Sequence, residues 1–267
     1  MKQPHIMEVR MFTTAIARTP SRSLIDGISQ TPEMGKPDYE LALKQHERYV
    51  EILRELGLKV TVLESAEDFP DSVFIEDNAL CTPHGVAIIS RPGADTRRDE
   101  VKLPDLRAAL AEHYDTIEEV VDPGTVDPGD ILMVGDHYYI GISHRTNDAA
   151  ADQIIKILEA HGMTGEKVKV EGILHLKDDV VYLDKKDLIV AKAYENHPAF
   201  ADYNKIVVDD DEYYAVNSLW INGTVIVPEG FPKTEKAIRD AGYEVVLINT
   251  SEFEKITGSL TCMSLRF

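Results

Sequence analysis

One repeated pattern constrains the fold of this chain more than any other feature. It consists of a short apolar hairpin, a helical segment and then a single apolar strand. Four hairpins are complete, and their strands are 78–81 with 86–89, 131–134 with 138–142, 180–183 with 188–191, and 219–221 with 225–227. Asn222-Gly223 joins the last pair and is a strong type I′ turn signal. Such internal repetition is typical of a protein built from similar structural units.

Helical and extended segments occur where the pattern requires them. Helical periodicity covers three segments: residues 38–56, residues 147–161 and residues 232–241. Asn147 can cap the second of them. The corresponding stretch at 198–203 is short. Single strands are predicted afterwards, at residues 59–63, 116–120, 168–170, 206–208 and 245–248.

The two ends of the chain supply the fifth unit. Its hairpin would pair the tail, residues 260–265, with the opening strand, residues 11–17. This pairing closes the units into a ring and removes exposed sheet edges. We therefore predict an α/β fold, a closed ring of ββαβ units forming one catalytic domain over residues 1–267. Residues 1–10 form an extension whose order the sequence leaves open.

Composition excludes several classes of partner. The chain has 28 basic and 47 acidic side chains, a net charge of −19, which repels nucleic acid and anionic membranes. Solubility explains most of this excess, although an acidic field also attracts a cationic small molecule. No segment is long and apolar enough for a signal peptide or a membrane span. Two cysteines are too few for a disulfide framework, which indicates a reducing, cytoplasmic compartment. The sequence allows a homodimer without deciding the oligomeric state.

Polar or reactive residues occupy the same place in every unit, where the single strand meets the next hairpin. In a closed ring these places face one axis, so the side chains would share a central pocket. They are Asp71, Glu76 and Asp77, then Asp127 and Asp130, then His175, then Asn217, and finally Cys262.

Taken singly, most of these residues have simpler explanations. Cys262 and His175 lie in apolar surroundings and could be core residues, and Asp127 could serve a turn with Pro128 and Gly129. The acidic cluster at 71–77 is harder to explain, because unpaired buried carboxylates are costly. A solvated rim and a metal site are alternatives, but calcium-type loop spacing is absent. A planar guanidinium with several N–H donors satisfies such a cluster through bidentate bonds.

Six motifs together resemble the dimethylarginine dimethylaminohydrolase family of the guanidine-modifying enzyme superfamily. The resemblance extends from about residue 11 to residue 267 and implies a five-fold pseudosymmetric α/β propeller, the pentein fold. The motifs are FPDSVFIED at 69–77, RPGA at 91–94 followed by Arg97-Arg98, Gly129-Asp130, RTN at 145–147, LHLK at 174–177 and SLTCMS at 259–264.

The resemblance also implies a role for each matching residue. Cys262 would be the nucleophile, His175 the proton carrier and Asp127 the group that orients His175. The remaining roles concern the substrate: the guanidinium would meet Asp71, Glu76 and Asp77 beside Phe74, the carboxylate would meet Arg97 and Arg145, and the α-amino group would meet the main-chain carbonyls of Ile28 and Ile256. Ile28 would belong to a mobile lid at about residues 20–36.

The implied reaction is hydrolysis of a methylated arginine, a small cationic amino acid, to citrulline and a methylamine. It would pass through a covalent thiouronium on Cys262, without metal or organic cofactor. Two alternatives stay open: another guanidine enzyme, such as an arginine deiminase, an agmatine deiminase or an amidinotransferase, and a non-catalytic arginine-binding module. Two arginines favour a substrate that carries a carboxylate, which argues against agmatine.

Overall fold

Fifteen strands form five three-stranded sheets in the computed structural model, which describes residues 11–170 and 172–267. The predicted extension at residues 1–10 lies outside the described residues. The strands are β1 (Thr14–Arg18), β2 (Lys59–Leu63), β3 (Ala79–Cys81), β4 (Val86–Ile89), β5 (Thr116–Glu119), β6 (Ile131–Val134), β7 (His137–Ile142), β8 (Thr164–Lys169), β9 (Val180–Tyr182), β10 (Asp187–Ala191), β11 (Asn204–Val208), β12 (Leu219–Ile221), β13 (Thr224–Pro228), β14 (Glu244–Ile248) and β15 (Ser264–Arg266).

All five sheets have the same plan. An antiparallel pair is followed by a third strand parallel to its second member, in the orders β3-β4-β5, β6-β7-β8, β9-β10-β11, β12-β13-β14 and β15-β1-β2. In the last sheet Ile16 pairs with Leu265 and with Thr61, so the strands nearest the two ends of the chain are neighbours. The predicted repeat, including this pairing of the ends, is confirmed.

Six α-helices connect or flank these strands in the described residues. They are α1 (Tyr39–Glu55), α2 (Pro104–Ala111), α3 (Asp148–Ala160), α4 (Leu176–Asp179), α5 (Pro232–Asp240) and α6 (Ser251–Glu254). Asp38 caps α1 by accepting from Leu41 N, and Asn147 caps α3 by accepting from Ala150 N. None of the helices in the described part of the chain is long and apolar enough to cross a bilayer.

Several of the strand and helix boundaries predicted from the sequence were wrong. The strand expected at 168–170 begins earlier, at Thr164, because its polar residues pair with β7 on an exposed sheet edge. Helix α2 was not predicted, although Pro104 stands at its first position and Leu106 and Leu110 share its buried face. The tail is not extended throughout, since residues 261–263 form a 3₁₀ turn ahead of β15.

Hydrophobic clusters pack each sheet against its neighbours. Alternation along a strand sends successive side chains to opposite faces. Val190 and Ile189 are adjacent on β10, yet Val190 belongs to the hydrophobic cluster that contains Leu132, whereas Ile189 belongs to the one that contains Val227. Each such residue is fully or almost fully buried, which stabilises the fold by about 1.5–3 kcal/mol per large apolar side chain. The units therefore hold one another in place.

Candidate active site

A small cavity of about 30 Å³ brings together most of the residues predicted to act on a substrate. Leu174 and Thr257 also line it and were not predicted. Thr257 carries a positive φ of 56°, a conformation that a β-branched residue rarely adopts. The predicted residues on its walls are Ile28, Asp71, Phe74, Asp77, Arg97, Arg145, His175, Ile256 and Cys262.

Cys262 lies at the centre of the 3₁₀ turn that precedes β15. Its backbone N–H donates to Ser259 O at 3.2 Å. Tyr49 clamps the turn from α1, because its hydroxyl donates to Leu260 O at 3.0 Å and lies 2.7 Å from Ser264 Oγ. The turn is therefore fixed on both sides of the cysteine.

His175 and Asp127 form a buried pair, and His175 lines the same cavity as Cys262. His175 Nε2 lies 3.1 Å from Asp127 Oδ2, and Asp127 is completely buried. The other oxygen of Asp127 accepts from Gly93 N at 2.8 Å. A side chain at Gly129 would meet the imidazole, since an added Cβ would lie 2.6 Å from Nδ1. The ring is thus held between a carboxylate and a glycine.

The charges around this pair set its protonation. Burial alone would lower the pKa of His175, but Asp77, Asp127 and Asp130 outweigh burial and raise it to about 10. Burial would raise the pKa of Asp127, but its bond to His175 lowers it to about 2. At neutral pH the pair is therefore an imidazolium and a carboxylate.

The pKa of the Cys262 thiol shifts in the opposite sense from that of a reactive cysteine. Burial raises it well above its ordinary value, and Glu76, Asp77 and Asp178 raise it further. A thiol is a weak nucleophile, so the unliganded site is poorly reactive at neutral pH. A cation placed among these carboxylates would lower that pKa.

We expect alkylation of Cys262 by iodoacetamide to be slow at pH 7 and to accelerate above about pH 9, because only the thiolate reacts. The rate constant, followed by peptide mass spectrometry from pH 6 to 11, should still rise at the alkaline end. The Cys262→Ser variant supplies the background from Cys81. A plateau reached near neutral pH would contradict the assigned electrostatics.

The acidic motif is organised around Arg97. This guanidinium donates to Asp77 Oδ2 at 2.6 Å and to both oxygens of Glu100 at 3.0 and 2.8 Å. It also reaches the carbonyls of Asp71 and Phe74. Most of its N–H groups are thus engaged by the protein, a geometry that favours positioning of the motif. Binding of a substrate carboxylate by Arg97 stays a prediction.

Glu76 lies apart from the small cavity. Its Oε1 accepts from Lys177 Nζ at 2.6 Å and from Arg266 Nη2 at 2.8 Å. Its Oε2 is buried without a hydrogen-bond partner in the described part of the chain. Glu76 nevertheless acts on the nucleophile, since it is the first of the carboxylates that raise the pKa of Cys262.

Ile28 of the predicted lid lines the cavity, and residues 28–30 hold this part of the lid through three hydrogen bonds to the rest of the protein. Ile28 N donates to Asp71 Oδ1 at 2.9 Å, Ser29 Oγ donates to Lys255 O at 2.6 Å, and Gln30 N donates to Thr257 Oγ1 at 2.8 Å. The lid therefore joins the acidic motif to the loop that precedes Cys262. The motion of the lid stays a prediction.

Arg145 combines a fixed backbone with an available guanidinium. Gly93 packs directly on its main chain, where an added Cβ would lie 2.4 Å from Arg145 O. Its Nη1 donates to Asp127 Oδ2 at 3.0 Å, and it keeps further N–H donors on the cavity wall. Phe74 packs edge-on against Phe253 and supplies an apolar wall.

A hydrogen-bonded chain links the loops of His175 and Cys262. His175 N donates to Asp178 Oδ2 at 3.1 Å, Asn217 Nδ2 donates to Asp178 Oδ1 at 3.3 Å, and Thr261 N donates to Asn217 Oδ1 at 3.1 Å. Asp130 ties the loop of His175 to the segment before α3 instead, accepting from Leu176 N at 2.9 Å and from Thr146 Oγ1 at 2.6 Å. The repeat pattern identified Asn217 and Asp130 as residues of this region, but no local signal identified Asp178.

Replacing Asn217 with alanine should lower kcat at least tenfold, because it frees the turn of Cys262 from the loop of His175. The free energy of unfolding should fall by about 1–3 kcal/mol, because Thr261 N and Asp178 each lose a hydrogen-bond partner. Steady-state kinetics and thermal unfolding measure both effects. Asn204→Ala, at an exposed site, is the matched control. A kcat equal to that of the control would limit Asn217 to a structural role.

Three potential metal ligands lie within 4.8 Å of one another, one atom each from Asp77, Asp127 and His175. Every carboxylate oxygen in this group already accepts an N–H, from Gly129, Arg97, Gly93, Arg145 or His175. A metal would therefore compete with these N–H groups and with the proton on His175, whose pKa is raised to about 10. The predicted lack of a metal stays a prediction.

A family model and the sequences of known proteins relate this chain to the same group of enzymes. Residues 29–228 match the family model described as N,N dimethylarginine dimethylhydrolase, eukaryotic. The chain is 46% identical over 258 residues to N(G),N(G)-dimethylarginine dimethylaminohydrolase of Pseudomonas aeruginosa, covering 96% of this chain and 100% of the relative. It is 35% identical to the Streptomyces coelicolor enzyme of the same name, covering 94% and 96%.

Solved structures give the same relationship. A cysteine-to-serine mutant of the Pseudomonas aeruginosa enzyme, complexed with citrulline, superposes with a TM-score of 0.93 over 97% of this chain and all of that one. The N-terminal domain of ArgZ, a cyanobacterial arginine dihydrolase, has a TM-score of 0.84 at 20% identity over 96% and 97%, which shows a shared fold alone. The family model and the 46% identity together show that this chain belongs to the dimethylarginine dimethylaminohydrolase family.

Proposed function

We propose that this protein hydrolyses Nω-methylated arginines, asymmetric dimethylarginine and monomethylarginine, to citrulline and a methylamine. The observation that carries the proposal is the shared cavity, in which Cys262 and His175 line the same space as two buried carboxylates and Arg145. The relatives support the proposal, because solved structures include a citrulline complex of a Pseudomonas aeruginosa enzyme mutant and an S-methyl-L-thiocitrulline adduct of a dimethylarginine dimethylaminohydrolase variant.

The guanidinium would be held by Asp71 and Asp77. Asp71 Oδ2 accepts no hydrogen bond from the described residues, so it is open to a substrate N–H. The oxygens of Asp77 each accept one protein N–H and retain a second lone pair. Glu76 would add its negative potential from beneath the site. Orientation of a planar cation by these groups supplies the proximity that attack on its carbon requires.

The first half-reaction would use substrate-assisted activation. The bound cation favours loss of the Cys262 proton to solvent, because it offsets the carboxylates that hold the pKa of the thiol high. The thiolate attacks the guanidinium carbon and forms a C–S bond. The C–N bond to the methylated nitrogen then breaks, while His175, already protonated, gives its proton to that nitrogen. A methylamine leaves and a thiouronium remains on Cys262.

The second half-reaction would reverse the role of His175. The neutral imidazole takes a proton from water, and the resulting hydroxide attacks the thiouronium carbon. The C–S bond breaks, the hydroxyl proton of the intermediate passes to solvent as the carbonyl of citrulline forms, and the thiolate of Cys262 returns. Asp127 stabilises the imidazolium before and after this cycle, since its carboxylate lies 3.1 Å from the ring nitrogen.

Arg145 would bind the substrate carboxylate, and the main-chain carbonyls of Ile28 and Ile256 would receive the α-amino group. The lid contacts support this assignment, because Ile28 is already held over Asp71 at the cavity. Arg97 would act mainly through Asp77 and Glu100. These assignments rest on geometry and on the residues matched to the family.

We also propose that the units close into a ring that forms a single catalytic domain. The antiparallel pairing of β1 with β15 supports closure. A larger cavity lined by residues of β3, β6, β9, β12 and β15 also supports it, because the first strands of all five hairpins meet there. A homodimer and a cytoplasmic location stay predictions.

The amine released from each substrate tests the proposed activity. Incubation with asymmetric dimethylarginine should give dimethylamine and citrulline, whereas arginine should react much more slowly. Ammonia released mainly from arginine would indicate a deiminase. Tight arginine binding without any product would indicate a binding module. Quantifying dimethylamine and ammonia by chromatography distinguishes the three outcomes.

A further inference from the structure

A second and larger cavity, of about 170 Å³, lies beside the candidate active site. Glu76 and Thr261 line it, whereas their sequence neighbours Asp77 and Cys262 line the small cavity. His175 does not line the larger cavity. The two cavities are therefore separate spaces that adjoin at the residues around the nucleophile.

One end of this larger cavity carries more positive than negative charge. Lys177 Nζ and Arg266 Nη2 both donate to a single oxygen, Glu76 Oε1, at 2.6 and 2.8 Å. The other bonds of Arg266 reach neutral oxygens of Thr261 and Ser264. Two cations thus share one carboxylate, inside a chain whose net charge is −19.

Lys177 is the cation at this end that keeps unused hydrogen-bond donors. An ammonium has three N–H donors, and Lys177 Nζ makes only the bond to Glu76 within the described ranges. The side chain of Lys177 is 12% exposed to solvent. It can therefore donate to an anion that enters the cavity, through a charge-assisted hydrogen bond.

The walls beyond Lys177 are mostly apolar. Leu132, Val181 and Trp220 line them along the hairpin strands. The opposite end is formed by hairpin turns, where Gly135 and Asp184 line the cavity. A four-residue strand such as β6 spans about 13 Å, so the space is long and has a carboxylate at its far end. An apolar cavity of about 150 Å³ is known to hold a benzene molecule.

We propose that this larger cavity binds a monocarboxylate with a short, unbranched apolar tail. The carboxylate accepts from Lys177 and balances the surplus charge, while the tail lies along the apolar walls. Asp184 disfavours a second carboxylate at the other end of the tail. The cavity therefore distinguishes a fatty acid from a dicarboxylate of the same length.

Calorimetric titration of butyrate, hexanoate and octanoate tests this proposal. The Cys81→Ser variant, which has no thiol on the larger cavity, is first alkylated at Cys262 at alkaline pH, so binding at the catalytic cavity, and any failure of the proposed function, do not affect the result. We expect one site per chain, with affinity rising about fourfold per methylene. Octanol and the dicarboxylate suberate should bind at least tenfold more weakly than octanoate.

Two variants locate the site. Lys177→Met should weaken octanoate binding at least tenfold, and Met133→Trp should abolish it by filling the cavity. Val121→Trp adds the same ring at an exposed position and should bind normally. Leu80→Phe, also on the cavity wall, replaces Met133→Trp if that variant fails to fold, as judged by thermal unfolding.

Three results would overturn the proposal. They are no binding of octanoate to the alkylated protein, equal binding by the folded cavity-filling variant, and equal binding by Lys177→Met. Equal affinity for suberate would remove the role given to Asp184 and with it the stated ligand class.

Discussion

A Cys262→Ser variant is expected to release dimethylamine at least about 10³-fold more slowly than the parent chain, because a serine hydroxyl at this site is not ionised at neutral pH. Among the described residues on the small cavity, Thr257 is the only other side chain with a hydroxyl or thiol, and a threonine hydroxyl is a poor replacement. The substrate should still bind, since the carboxylates and Arg145 are unchanged. Steady-state amine release and calorimetric binding measure the two effects.

Cys81→Ser is the matched control for this variant. Cys81 is buried on β3 and lines the larger cavity, so its replacement leaves the catalytic cavity intact. We expect turnover within about threefold of the parent chain. Full turnover by Cys262→Ser, or equal losses in the two variants, would refute the assignment of the nucleophile.

An Asp127→Asn variant is expected to lose about 10²–10⁴-fold in kcat with a smaller change in KM. Loss of the charge removes one of the groups that hold the pKa of His175 at about 10, and the amide places a donor where Arg145 and His175 both donate. The alkaline limb of the kcat profile should therefore move to lower pH, because the imidazolium that protonates the leaving amine is lost sooner.

Asp136→Asn controls for the loss of a carboxylate. Asp136 is exposed in the turn between β6 and β7, and its side chain pairs with that of His84. Neither residue lines the small cavity, so the kcat and pH profile of this variant should match those of the parent chain. If Asp127→Asn keeps both the rate and the pH profile of the parent, Asp127 does not set the state of His175.

The repeat could be predicted from sequence because each unit carries local signals. Apolar strand pairs, Asn222-Gly223 and the caps Asp38 and Asn147 each act within a few residues. The boundaries of β8 and the turn around Cys262 depend instead on contacts from far along the chain. Tyr49 holds that turn from more than two hundred residues away, and no local pattern reveals such a contact.

The site residues could be predicted from the sequence for a related reason. Equivalent positions in repeated units meet in space, so Asp77, His175 and Cys262 could be grouped before their contacts were known. What each side chain binds could not be read from the repeat. Arg97 is committed to Asp77 and Glu100, and Glu76 faces Lys177 and Arg266, because buried charges take whichever partners the packing brings within reach.

The covalent step is tested most directly by the mass of the protein during turnover. Rapid acid quenching of a reaction with asymmetric dimethylarginine, followed by peptide mass spectrometry, should show Cys262 carrying the mass of the substrate minus dimethylamine. The adduct should appear and decay at rates that account for product formation. Release of dimethylamine with no adduct on Cys262, or with the adduct on Cys81, would contradict the account.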